Sequence, residues 1–117
     1  MEISGQAVLL RIFIGESDKI GHLPLFEKIV KEARNAGLAG ATVLKGVLGY
    51  GATARIRTTK ILDLSADLSL VIEIVDEEGK IATFQRTLSD LFEQANCGGL
   101  VTLENIRVVH YLPEKHH

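Results

Sequence analysis

An α+β sandwich in the order β-α-β-β-α-β is predicted for this chain, and three observations predict it. β-Branched, apolar runs recur at Ala7–Gly15, at Ala41–Leu48, at Leu68–Val75, and at Leu100–Leu103 with Ile106–Tyr111. Two stretches with apolar residues at three- and four-residue steps separate the first run from the second and the third from the fourth. The second and third runs have only an aperiodic stretch between them. This is the split βαβ, or ferredoxin-like, order. Two right-handed crossovers place both helices on one face of a four-stranded antiparallel sheet. The other face lacks cover, and strands this apolar predict oligomerisation through it.

The elements follow in order. Ala7–Gly15 is nearly continuous in apolarity, with Arg11 its only charge, and is expected to be a central strand buried on both faces. A buried arginine needs a partner, so Arg11 is expected to pair with Glu16, Glu73 or Glu104, or to reach a cleft between subunits. Glu16-Ser17-Asp18 is a polar break. Pro24 suits the first turn of a helix, where its missing N–H costs nothing. Phe26, Ile29, Val30 and Ala33 mark that helix's apolar face, and Asn35-Ala36-Gly37 ends it. Ala41–Leu48 is the second strand. Gly49 to about Ala66 has no clean period, holds Arg55, Arg57 and Lys60, and reads as a long exposed loop of the functional kind. Leu68–Val75 is the third strand. Asp76–Gly79 is a turn whose acids suit a helix N-terminus. Ile81, Phe84, Leu88, Leu91 and Phe92 mark a second amphipathic helix ending near Ala95-Asn96. Cys97-Gly98-Gly99 breaks the chain before the last strand.

The totals bound the function. The 117 residues make one ordinary domain over 1–117, with a flexible loop at about 49–66. Hydrophobic residues at 46% supply a core, and charged residues at 24% exclude global disorder. A net charge of −2 argues against nucleic acid as a partner. The single cysteine, Cys97, permits no internal disulfide. No apolar run approaches the ~20 residues that span a bilayer, and the first residues lack a signal-peptide pattern. A cytoplasmic location is expected. His22 and His110 lack metal-ligand spacing, nothing beside Cys97 would lower its pKa, and no catalytic constellation is visible, so an enzyme is not expected.

The glycines carry the site argument. Five fall between Gly37 and Gly51. Gly37 is a helix stop. Gly40, Gly49, Gly51 and Gly99 allow close approach of a ligand to bare backbone, and N–H groups in a tight turn form an anion nest. Turn geometry alone would equally account for Gly98-Gly99. Arg55 and Arg57 read either as solvated loop cations or as charge-assisted contacts to phosphate or a partner.

The pattern Gly37-x-x-Gly40-x-Thr42-Val43, then Gly46, then Gly49-x-Gly51, resembles the PII signal-transduction proteins at the base of their T-loop. Nearly end to end, the chain looks like a PII-like family of small uncharacterised bacterial and archaeal proteins. Ile12-Phe-Ile-Gly-Glu-Ser17, Val47-Leu-Gly-Tyr-Gly51, Leu64-Ser-Ala-Asp-Leu68, Val71-Ile-Glu-Ile-Val-Asp76 and Gly98-Gly-Leu-Val-Thr-Leu-Glu104 carry the likeness. The resemblance implies a homotrimer with sheets packed inward and a regulatory role. It implies an adenine nucleotide (ADP, ATP or AMP) as effector in clefts between subunits, and no required cofactor. The cleft positions are Gly40, Ala41 and Thr42 on one side. On the other are Cys97 with Gly98, Gly99, Leu100, Val101 and Thr102. The chain lacks the Gly-Asp-Gly-Lys-type sequence and the C-terminal arginine pair of PII proteins, Arg107 being the only arginine there. Some members occur with fluoride-channel proteins, which extends the expected protein partner to a membrane transporter or channel. The alternative function is a trimeric interaction module that docks on its partner without nucleotide.

Overall fold

A computed structural model describes residues 5–50, 57–58 and 68–114, with backbone only at 57 and 58. Its main elements are β1 (Gly5–Gly15), α1 (Leu25–Asn35), β4 (Ala41–Lys45), β7 (Ser69–Asp76), α2 (Glu78–Ala95) and β8 (Leu100–Val108). Two small ribbons complete it: β2 (Lys19–Ile20) with β3 (Leu23–Pro24), and β5 (Leu48–Gly49) with β6 (Arg57–Thr58). The main sheet has the order β4-β7-β1-β8, with every neighbour antiparallel. β1 and β7 are therefore central, and both helices lie on one face, as the run order predicts.

The core lies between that face and the helices. Leu10, Ile12, Leu70, Ile72 and Ile74 meet Ile29 of α1 and Ile81 and Phe84 of α2, all at most 1% exposed. Alternation decides which strand residues take part. Val8, Leu10, Ile12 and Ile14 are buried, whereas Leu9, Arg11 and Phe13 are half-exposed on the open face. The expectation that β1 is buried on both faces is thus corrected: helices cover one side only, and near-continuous apolarity marks an open face that is also apolar. Arg11 is likewise not buried; its side chain is 37% exposed.

Three boundaries also shift. The second strand stops at Lys45 rather than Leu48: Gly46 still donates its N–H to the Ser69 carbonyl at 2.8 Å, and Leu48 and Gly49 pair with β6 instead of β7. α2 begins at Glu78, one turn before its first core residue, and takes Gly79 inside. β8 runs through Glu104 and Asn105 without a break and ends at Val108. It is an edge strand open to solvent, so polar side chains do not interrupt it, and its last residue, Val108, pairs with Gly5.

Successive rows cross the open face. Leu44, Val71, Phe13 and Leu100 form one apolar row. Thr42, Glu73, Arg11 and Thr102 form the polar row beside it. Leu44 and Leu100, at its two ends, are 48% and 56% exposed.

Candidate functional site

The segment leading into β4 is fixed from three directions. α1 ends in a Schellman motif. Gly37, at φ 76°, donates its N–H to Arg34 at 3.0 Å, and Leu38 donates to Ala33 at 3.1 Å. Leu38 then packs on the core, so Gly37 is the helix stop its position predicts. Asp76, at the end of β7, is fully buried. One of its oxygens accepts the Ala39 N–H at 2.9 Å and the other the Glu77 N–H at 2.7 Å. From the other side the Tyr111 hydroxyl donates to the Ala39 carbonyl at 3.4 Å.

Gly40 follows directly, and nothing in the fold requires glycine there. It is not among the positive-φ residues, and an added Cβ would meet no atom within 4 Å. A firmly held backbone without a side chain faces open space.

Gly40 borders two spaces: a pocket of about 280 Å³ against α1 and, toward the sheet, a cavity of about 570 Å³. Leu9 and Val75 of the open sheet face form one wall, Gly40, Ala41 and Thr42 a second, and Ile106 to Tyr111 a third. Most of the lining is apolar, and Thr42, Glu73, Arg107 and His110 supply the polar groups. Apolar walls with a few fixed polar groups are the make-up of a small-ligand site. Glu73 is held from behind by Arg11, Nε to Oε2 at 2.9 Å, and Arg11 reaches Glu104 with Nη1 at 3.4 Å. The hydrogen bond to Glu73, above all, raises the guanidinium pKa above its ordinary value against the opposing effect of burial, and the charge of Glu104 adds to the rise. Of the three expected partners, Glu16 is the one Arg11 does not use. Glu16 instead meets Lys45 at 2.6 Å and donates its N–H to the Leu68 carbonyl at 2.8 Å. Both ends of the 46–68 segment are thereby tied to one residue.

Gly40, Ala41 and Thr42 come together as expected. The second cluster lies elsewhere in the chain. β8 and β4 are opposite edges of the sheet, three strand spacings or about 14 Å apart. Thr102 shares a transverse row with Thr42 but not its cavity. Leu100 and Val101 are exposed at the far edge, and Gly98 lines a shallow groove with Cys97, Phe92 and Ser89. Gly99 has a packing role: an added Cβ would stand 2.6 Å from the Phe92 ring and 3.1 Å from the Phe13 carbonyl. Gly49 pairs with Arg57 at the root of the loop. Gly51, Arg55 and the Arg57 side chain lie outside the described residues.

Sequence reasoning missed the third wall and the anchor of the second. Val109–Tyr111 reads as strand by its apolar residues, yet it leaves the sheet and returns toward Ala39. Asp76 reads as a turn acid. Glu73 carried a usable signal, being the one charge inside an apolar strand that pairs with another strand holding one charge, Arg11. Among the described residues, no three His, Cys, Asp or Glu side chains group to hold a metal ion. Burial pushes the Cys97 thiol above its ordinary value, and the Asp18 carboxylate adds to the shift.

An antiparallel sheet in this order under two helices is a ferredoxin-like α+β fold, and solved structures of PII-like proteins share it. CPII, a nitrogen regulatory PII-like protein from Thiomonas intermedia bound to ADP, AMP and bicarbonate, superposes with a TM-score of 0.67 at 18% identity, covering 90% of each chain. A putative PII-like signaling protein from Thermus thermophilus gives 0.65 at 19% identity, covering 92% of this chain and 94% of that one. At such identities the likeness is one of fold. Residues 7–108 match the family described as "Uncharacterized ACR, COG1993" (DUF190). A UPF0166 protein from Aquifex aeolicus is 39% identical over 102 residues, covering 87% of this chain and 92% of its own length. One from Methanocaldococcus jannaschii is 34% identical over 103 residues, covering 88% and 92%. The chain belongs to the DUF190 (UPF0166) family.

Proposed function

We propose that this protein is a PII-like regulator, without catalytic activity, that binds an adenine nucleotide (ADP, ATP or AMP) at the Gly40–Thr42 cavity. The observation that carries the reading is Gly40 itself: a pinned backbone, unneeded by the fold as glycine, that faces an apolar cavity edged by a few polar groups. The Thiomonas protein of the same fold holds ADP and AMP, which supports the choice of ligand class. Gly98–Thr102 of a second copy completes the cleft, since one chain holds the two clusters at opposite edges. A homotrimer packed through the open sheet faces supplies that copy. β4 then relays the ligand. It starts at the cavity and ends four residues later at Lys45, where Glu16 ties the neck of the 49–66 loop. Gly49 and Gly51 hinge that loop, and Arg55 and Arg57 meet phosphate or a protein partner of the transporter or channel class. The protein works in the cytoplasm as one domain.

Titration calorimetry with AMP, ADP and ATP tests this. Saturable binding is expected, weakened roughly tenfold or more by Gly40→Val, which adds bulk at the cavity wall where a Cβ meets no atom within 4 Å. No heat at millimolar nucleotide refutes the reading. The second reading, an interaction module indifferent to nucleotide, draws on exposed Val47, Leu48 and Tyr50 at the loop root, which are 70%, 65% and 71% accessible. Partner capture unchanged by nucleotide and lost in Arg55→Ala/Arg57→Ala would favour it.

A further inference from the structure

We infer that Arg11 is a positioning residue that neutralises Glu73, so that the cavity accepts the phosphates of a nucleotide; the inference rests on the nucleotide reading above. Glu73 is the one acidic side chain among the described residues lining the cavity. It is the direct cross-strand partner of Thr42, one residue on from the Ala41 amide and two from Gly40. An unpaired carboxylate there would oppose any anion held in the cavity. At ~6 Å and an effective dielectric of ~40, each unit of ligand charge would weaken binding about tenfold.

Arg11 removes that opposition without entering the cavity. It is the direct partner of Glu73 on the side away from Thr42, it holds Glu73 Oε2 through Nε at 2.9 Å, and it is not part of the lining. Glu104, on the next strand out and diagonal to Arg11, opposite Leu9, also draws Nη1 at 3.4 Å. The lone cation in an apolar strand thus stands behind the lone anion of the site. If the pair were only a half-exposed cross-strand ion pair, it would contribute little to stability and nothing to ligand choice.

The two accounts differ in how Arg11 substitution scales with ligand charge. Calorimetry would compare adenosine, AMP and ADP on wild type, Arg11→Met, Arg11→Lys and Arg11→Met/Glu73→Gln, with circular dichroism and thermal melts to show that each variant folds. Arg11→Met is expected to weaken ADP about tenfold or more, AMP less, and adenosine within about twofold. The loss should shrink in high salt. Arg11→Lys should keep most of the affinity. The double variant, with both charges removed, should recover ADP binding to within about threefold of wild type, which a merely structural role would not produce. Equal losses for adenosine and ADP, or no recovery in the double variant, overturn the inference while leaving the nucleotide site standing. Failure of wild type to bind all three ligands overturns the nucleotide reading and this inference with it.

Discussion

Replacing Asp76 is expected to release the wall of the cavity and to cost the fold a measurable part of its stability. The carboxylate is fully buried and accepts two backbone N–H groups, Ala39 at 2.9 Å and Glu77 at 2.7 Å. Hydrogen bonds to a charged acceptor contribute about 1.5–3 kcal/mol each, and a buried donor left without a partner costs about 1–3 kcal/mol. Removing a buried charge returns part of its desolvation cost, so Asp76→Ala should destabilise by about 2–4 kcal/mol. Asp76→Asn keeps one acceptor but turns an amide N–H₂ toward the other donor, and should cost slightly less. Urea unfolding at fixed protein concentration measures the loss, because assembly would otherwise shift the midpoint. Hydrogen exchange gives the local readout: the Ala39 and Glu77 amides should lose protection before the sheet does. A loss under about 0.5 kcal/mol in Asp76→Ala, with Ala39 still protected, would show that the Schellman motif and Tyr111 hold this segment by themselves.

Two further outcomes follow from contacts at the far end of the sheet. Gly99→Ala should destabilise by about 1–3 kcal/mol, since its Cβ meets the Phe92 ring at 2.6 Å and the Phe13 carbonyl at 3.1 Å, whereas Gly40→Ala should stay within about 0.5 kcal/mol; paired urea curves decide it. The Cys97 thiol, pushed up by burial and by Asp18, stays protonated at neutral pH and should react with iodoacetamide several-fold more slowly than a free cysteine at pH 7.5. Its rate should keep climbing at pH values where a free thiol's rate has levelled off, and faster labelling than free cysteine at pH 7 would contradict the shift.

The legible parts of the fold were those set by periodicity. Phe84, Leu88 and Leu91 mark the buried face of α2 at helical spacing, and Gly37 marks the end of α1 because only its αL backbone closes the Schellman bonds. The face of a strand was less legible. In β1, Leu9 and Phe13 are as apolar as Leu10 and Ile12, so the sequence pattern did not separate the covered side from the open one. Val109–Tyr111 could not be read locally either: its apolar residues suit a strand, yet the Tyr111 hydroxyl is held at the Ala39 carbonyl, 72 positions away. The site split in the same way. Gly40 was visible as a glycine near the start of a strand. Asp76 was invisible as its anchor, since the bond to Ala39 spans 37 positions. Gly99 is as visible as Gly40 in the sequence, and the Phe92 ring beside it gives it a packing role.

The features the single chain leaves unfinished lie together on one surface. Leu44, Val71, Phe13 and Leu100 cross the open face as an apolar row that water covers poorly. The cavity at Gly40 opens on that same face through Leu9 and Val75, and the polar row of Thr42, Glu73, Arg11 and Thr102 lies between the two. Association of copies across this face would bury the apolar row and would have to bury the polar row with it. Charges buried in that way are tolerated only when paired, and Arg11 comes with carboxylates on both sides, at 2.9 and 3.4 Å. The triad of Glu73, Arg11 and Glu104 carries one net negative charge. On the proposed reading, a neighbouring copy must therefore bring a cation or hydrogen-bond donors to Glu104, which sits beside the row, opposite Leu9. It cannot bring another carboxylate, and that restricts how the sheets meet more tightly than apolar contact would.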